Sequence, residues 1–194
     1  MNIEIKSVDR ESELQGIRDL QEVNLRKNIS AEECASEGFV TASYTVDFLR
    51  AMHEAHPSII AKDGDKVVGY ALVATQAVRH GHELLDDLFN KLDPYMYEGK
   101  PLRERNYVVV GQLCVAKSHR GLGLVDRMYG LYKELLSSKF DCCLADVVQV
   151  NQRSLRAHAR VGFKVIGTLE YGGVVWDVVM WDWIEDRGSR IEDP

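Results

Sequence analysis

One stretch leaves this chain few folding choices. Tyr107 to Ala116 is an apolar, valine-rich run, long enough for a buried strand and too short for most helices. It breaks into the polar turn Lys117-Ser118-His119-Arg120 and resumes as Gly121-Leu122-Gly123-Leu124-Val125, followed by apolar residues at helical spacing. A strand must therefore stop, turn tightly and enter a helix within a few residues. Gly121 and Gly123 allow backbone conformations closed to other residues, and the new helix offers unpaired N–H groups at the positive end of its dipole. Such a turn favours an anion. Arg120 adds a formal charge at its mouth, although an ordinary strand-to-helix turn can carry the same glycine pair.

The 194 residues suit one domain with a substantial core. No apolar run approaches the length that spans a bilayer, and Met1 to Lys6 lacks the basic start and apolar stretch of a secretory signal, so a cytoplasmic location is expected. A net charge of −6 argues against a general nucleic-acid binder, which needs a concentrated positive field. The four cysteines, Cys34, Cys114, Cys142 and Cys143, show neither Cys-x-x-Cys nor Cys/His ligand spacing. They read as reduced thiols, with no metal site expected, and Cys114 has no charged sequence neighbour to generate a thiolate.

Alternation and helical periodicity divide the rest. Asn2 to Ser7, Ser58 to Ala61, Lys66 to Thr75, Cys142 to Val148, Phe163 to Leu169 and Val174 to Trp183 read as strands. Ser12 to Arg26, Thr45 to Glu54, His82 to Leu92, Leu124 to Ser137 and Ser154 to Arg160 read as helices. Asp63-Gly64 and Gly172-Gly173 are hairpin turns by their chemistry. Asp93 to Pro101 reads as a loop, and Gln76 to Asn106, with Tyr95, Met96 and Tyr97, as a lid over a binding site. Residues 1–184 form the domain, and Glu185 to Pro194 a polar, poorly ordered tail.

A second motif, Asn151-Gln152-Arg153-Ser154-Leu155-Arg156-Ala157-His158-Ala159-Arg160-Val161-Gly162-Phe163, completes the signal. With Arg120, Gly121 and Gly123 it resembles the acyl-CoA-binding signature of the GNAT superfamily of N-acetyltransferases, although the last Gly or Ala of that family's loop is Val125 here. The resemblance implies a single α/β (α+β) domain whose mixed, mostly antiparallel sheet is flanked by helices and splays between its fourth and fifth strands. It implies acetyl-CoA as acyl donor, a primary amine as acceptor, and direct transfer in a ternary complex. Pantetheine would pair with the strand edge at Leu113, Cys114 and Val115, and the pyrophosphate would sit on Arg120, Gly121, Leu122, Gly123, Leu124 and Val125. Asn151 and Ser154 would meet the pantetheine arm, Asn151 also being a natural helix N-cap.

An acceptor amine with a pKa of roughly 8 to 10.4 must lose a proton before attack. On the strand where several relatives place a Glu or His base, only Tyr107, Gln112 and Cys114 are polar. Asp146 is the best carboxylate candidate, with Glu170 and Tyr171 behind it; a structural Asp is the competing reading. His158 occupies the position where many relatives carry a Tyr that protonates the leaving thiolate, and it is expected to do the same unless it is simply packed. Arg153, Arg156 and Arg160 could reach the 3′-phosphate of CoA, but their spacing also suits a solvated face. Trp176, Trp181 and Trp183 read as core or interface residues. A CoA-binding sensor without turnover, or an interaction scaffold with a vestigial cleft, are the competing functions. A homodimer is left open, and neither nucleic acid nor membrane is expected as a partner.

Overall fold

The computed structural model describes residues 2–30, 32, 34, 38–171 and 173–184. The expected 185–194 tail and Gly172 of the last hairpin turn lie outside them. Seven strands form one sheet: β1 (Ile3–Ser7), β2 (Ile59–Asp63), β3 (Lys66–Ala74), β6 (Tyr107–Val115), β7 (Cys142–Val148), β8 (Lys164–Tyr171) and β9 (Val174–Asp182). Their order is β1-β2-β3-β6-β7-β9-β8, antiparallel throughout except for β6 with β7. Helices α1 (Glu11–Asn24) and α2 (Val46–Ala55) pack against β3. Helix α4 (Leu124–Leu136) packs on β1, β2 and β3 and also meets α5 (Gln152–Val161). Among the described residues no helix is long and apolar enough to cross a membrane.

The parallel pairing is brief. Tyr107, Val108 and Val109 face Cys142, Cys143 and Leu144, and there the ladder ends. Beyond it β6 continues with β3 while β7 stays with β9 along its whole length, so the sheet opens between its fourth and fifth strands as expected. A bulge marks the divergence. Leu72 pairs with Gln112 and Val73 with Val110, which leaves Gly111 unpaired on β6.

A buried polar network fills the space created. The Tyr44 hydroxyl donates to the Gly111 carbonyl (3.0 Å). Gln112 accepts from Gln21 Nε2 (2.7 Å) and the Tyr70 hydroxyl (2.6 Å), and donates to the Ala42 carbonyl (2.9 Å). Gln21 Oε1 accepts the Tyr44 backbone N–H (2.7 Å). The segment 38–45 is thus tied over the open end of the cleft, and Gln112 is fully used in holding it.

The stretch between β3 and β6 is more ordered than its sequence suggests. Helix α3 (Glu83–Leu92), capped by His82, is followed by a small hairpin, β4 (Met96–Tyr97) with β5 (Lys100–Pro101). Glu98 and Gly99 both take positive φ at its turn, as a two-residue hairpin of type I′ requires. Tyr95 does not face the cleft. Its hydroxyl donates to the Ile166 carbonyl (3.1 Å) and occupies the space where a side chain at Gly167 would stand. Tyr97 lies under the Arg105 guanidinium. Of the lid expected over Gln76 to Asn106, the part with Tyr95 and Tyr97 is a packed structural hairpin, while α3 lines the cleft.

Replacing Gln21 by Leu strands the Tyr44 N–H and half of Gln112's acceptor capacity in a buried site. A loss of about 2–4 kcal/mol is expected for buried groups left unpaired. Thermal unfolding should show it as a Tm lower by roughly 5–15 °C for a chain of this size.

Candidate active site

The divergence of β6 and β7 opens a cleft with two connected chambers that share Leu113, Asn151 and Ser154. The larger, about 500 Å³, runs along Leu113, Cys114 and Val115 to the start of α4. These three residues pair with β3 on one side and have no β7 partner on the other, so one backbone edge borders the cleft. Gly121 (φ 82°) and Gly123 (φ 70°) turn the chain, and a side chain added at either would meet nothing within 4 Å. Open space thus lies directly before the N–H groups of the 13-residue helix α4. Leu124 and Val125 line this chamber, whereas Leu122 is 47% exposed and stands outside its wall.

Arg120 borders the larger chamber, as its sequence position suggested, while two of its nitrogens are held within the fold. Its Nε donates to the Val115 carbonyl (3.1 Å) and its Nη2 to Asn24 Oδ1 (2.9 Å), clamping the turn to β6 and α1. Arg153, Arg156 and Arg160 on α5 line the same chamber and extend its cationic rim. Arg160 also pairs with Asp126 of α4 (2.9 Å), so the face that reads as merely solvated in sequence borders the ligand chamber.

Asn151 caps α5 through Oδ1, which accepts the Ser154 N–H (3.2 Å), while Nδ2 donates to the Phe39 carbonyl (3.3 Å). It is 6% exposed and stands between the two chambers. Ser154, one turn along, is the hydroxyl at their junction.

His158 does not offer the N–H expected of it. It is 3% exposed, and its Nδ1 lies 2.8 Å from the Ser154 carbonyl. A carbonyl only accepts, so the ring proton is on Nδ1, and Nε2 accepts from the Tyr129 hydroxyl (2.8 Å). Burial lowers its pKa to about 4, keeping the ring neutral. Tyr129 and Phe163 pack against it, and the Ser154 carbonyl and the Tyr129 hydroxyl together use both ring nitrogens, so none is left to donate to a thiolate.

The smaller chamber, about 140 Å³, holds Asp146. Desolvation raises its pKa to about 6; the charge of Asp87 adds to the rise, while its own backbone N–H and the neighbouring Tyr171 hydroxyl oppose it. The Tyr171 hydroxyl lies beside this carboxyl but short of hydrogen-bond geometry. Cys114 is inert, its thiol pushed up to about 12 by burial. Sequence reasoning missed Tyr44 and Trp176 as cleft-forming parts, whereas α3 falls within the Gln76 to Asn106 segment expected over the site. Strand alternation did separate Trp176 from the buried pair Trp181 and Trp183, which was the available signal.

Residues 26–163 match the profile of the Acetyltransferase (GNAT) family, and the chain belongs to that family. Similar solved structures include an N-acetyltransferase from Staphylococcus aureus Mu50, 15% identical with a TM-score of 0.63, covering 94% of this chain and 99% of that one. Another is yncA of Salmonella typhimurium, solved with its cofactor acetyl-CoA, 18% identical with a TM-score of 0.61 over 93% of this chain and 94% of that one. A GNAT-family acetyltransferase from Streptococcus agalactiae 2603 is 18% identical, with a TM-score of 0.62 and coverages of 93% and 95%. No curated protein sequence matches the chain significantly.

Asp146 and His158 pull stability in opposite directions with pH. Asp146 titrates near 6 folded and 3.8 unfolded, so the native state binds the extra proton and stability falls as pH rises from about 4 to 6. His158 titrates near 4 folded and 6.5 unfolded, so the unfolded state binds it and stability rises from about pH 4 to 6.5. Denaturant titrations should show Asp146→Asn gaining on wild type as pH rises through this window and His158→Gln losing ground, by up to about 3 kcal/mol for His158. A constant offset for both variants would contradict the assignments.

Proposed function

We propose that this protein is an N-acetyltransferase that moves an acetyl group from acetyl-CoA to a primary amine in a ternary complex. The observation that carries the reading is a cleft with a glycine turn and open helix start at one end and the half-buried, poorly solvated carboxyl of Asp146 at the other. The residues suit the donor: open space at Gly121 and Gly123 fits a pyrophosphate, Arg153 and Arg156 border it, and the unpaired edge of Leu113 to Val115 fits the pantetheine amides.

In this reading Asp146 is the general base. Burial holds its pKa near neutrality, where it is ionised at pH 7 yet basic enough to accept a proton. The amine nitrogen bonds to the thioester carbon, the carbon–sulfur bond breaks, and the nitrogen's proton passes to Asp146. Ser154 takes the part expected of His158, its hydroxyl donating a hydrogen bond to the departing sulfur at the junction of the chambers. The thiolate, with a pKa of roughly 8.5, then takes its proton from solvent. Asn151 holds α5 in place for this arrangement.

Thiol release with acetyl-CoA and an amine panel tests turnover; CoA binding with no release above background would favour the sensor reading instead. Asp146→Asn should lower kcat by about 10²–10⁴ while CoA affinity stays near wild type. In the wild type kcat/KM should fall below an apparent pKa near 6, because the base is then protonated, and the variant should lack that limb. Gly123→Asp places a negative charge where phosphates lie and should weaken CoA binding by about 100-fold in calorimetry. Unchanged affinity in a folded variant would remove the cradle.

A further inference from the structure

We infer that the acceptor is a compact primary amine with an apolar, ring-sized body and no carboxylate group. This rests on the acyl-transfer reading and extends it to a substrate class. The chamber around Asp146 is walled by Leu84, Leu85 and Leu88 of α3, with Tyr44, Val110 and Val147. Its volume is about 140 Å³. An apolar cavity of about 150 Å³ accommodates benzene, so the space suits a single ring or a short branched alkyl group and excludes a folded peptide segment.

Charge sets the second half of the class. The formally charged side chain of this chamber is Asp146, and Asp87 adds negative potential to it. Among the described residues lining the chamber there is no Lys or Arg, and His158 is neutral with both ring nitrogens bonded. Lys91 is held elsewhere, its ammonium 4.7 Å from the Tyr171 ring centre and bonded to the Glu170 carbonyl (3.0 Å). The arginines gather at the other chamber, on Arg153, Arg156 and Arg160. The cleft is thus segregated by sign: anions are received at the α4 end and cations at the Asp146 end. An ammonium entering the smaller chamber pairs with a carboxylate and can deliver its proton to it. An α-carboxylate on the same molecule would stand a few ångströms from Asp146 among largely apolar walls with no Lys or Arg to meet it, a like-charge contact far more costly there than in water.

The test is steady-state thiol release by the full chain with acetyl-CoA and matched pairs: phenethylamine against phenylalanine, and 3-methylbutylamine against leucine. The decarboxylated member of each pair should have a kcat/KM higher by about 100-fold or more. Leu84→Arg places a cation at the chamber wall on a residue already 42% exposed, and should narrow that ratio by about tenfold with CoA affinity unchanged. Equal or better turnover of the amino acids, or an unaltered ratio in folded Leu84→Arg, overturns the class while leaving acyl transfer intact. No release with any amine, although acetyl-CoA binds, overturns both together.

Discussion

The structure depends on a ladder that stops. Strands β6 and β7 exchange backbone hydrogen bonds only as far as Val109 and Leu144, after which each is held by its other neighbour alone. Backbone N–H and C=O groups facing such a gap need partners. The Gly111 bulge and the Tyr44 hydroxyl satisfy part of the demand, and the remaining edge at Leu113 to Val115 is what an extended amide-bearing ligand can complete. The opening lies inside a continuous sheet rather than at its rim, so its width is fixed by β3 and β9 on either side.

Holding the gap open requires polar atoms in the interior, and the chain supplies them in two ways. The Gln21–Gln112–Tyr70 network reaches Ala42 and Tyr44 and anchors 38–45, which commits the Gln112 side chain to structure. Asp146 is the opposite case. Its carboxyl is kept poorly solvated, and the fold is less stable at neutral pH for carrying it. Strain of that kind is expected where a proton must be exchanged. His158 looks similar in sequence but behaves as a packed residue, because Tyr129 and the Ser154 carbonyl consume its two nitrogens.

The two chambers divide labour through the same few residues. Asn151 and Ser154 sit at their junction because α5 begins where β7 ends, and the cap that starts the helix also fixes the serine one turn later. Arg120 braces the glycine turn against β6 and α1 while it borders the larger chamber. Removal of that brace would move the α4 N-terminus as a unit, a different fault from loss of a charge.

Local rules carried far along this chain. Periodicity located the seven main strands and five helices to within a few residues, and the glycine turn before Leu124 and the Asn151 cap were legible because capping and positive φ are properties of a few consecutive residues. The β4–β5 hairpin escaped because two-residue strands leave too short a pattern to register. What side chains face was decided only by tertiary structure. His158 occupied a position suited to a ligand, yet Tyr129 and the Ser154 carbonyl claimed both of its ring nitrogens, and Asn24 and Val115 hold two nitrogens of Arg120. Trp176 and Tyr44 entered the cleft for the converse reason. Sequence determined the elements and the glycine turn before the helix, since those depend on neighbours in the chain; the chamber around Asp146 arose from residues more than a hundred positions apart, whose meeting depends on how the sheet divides.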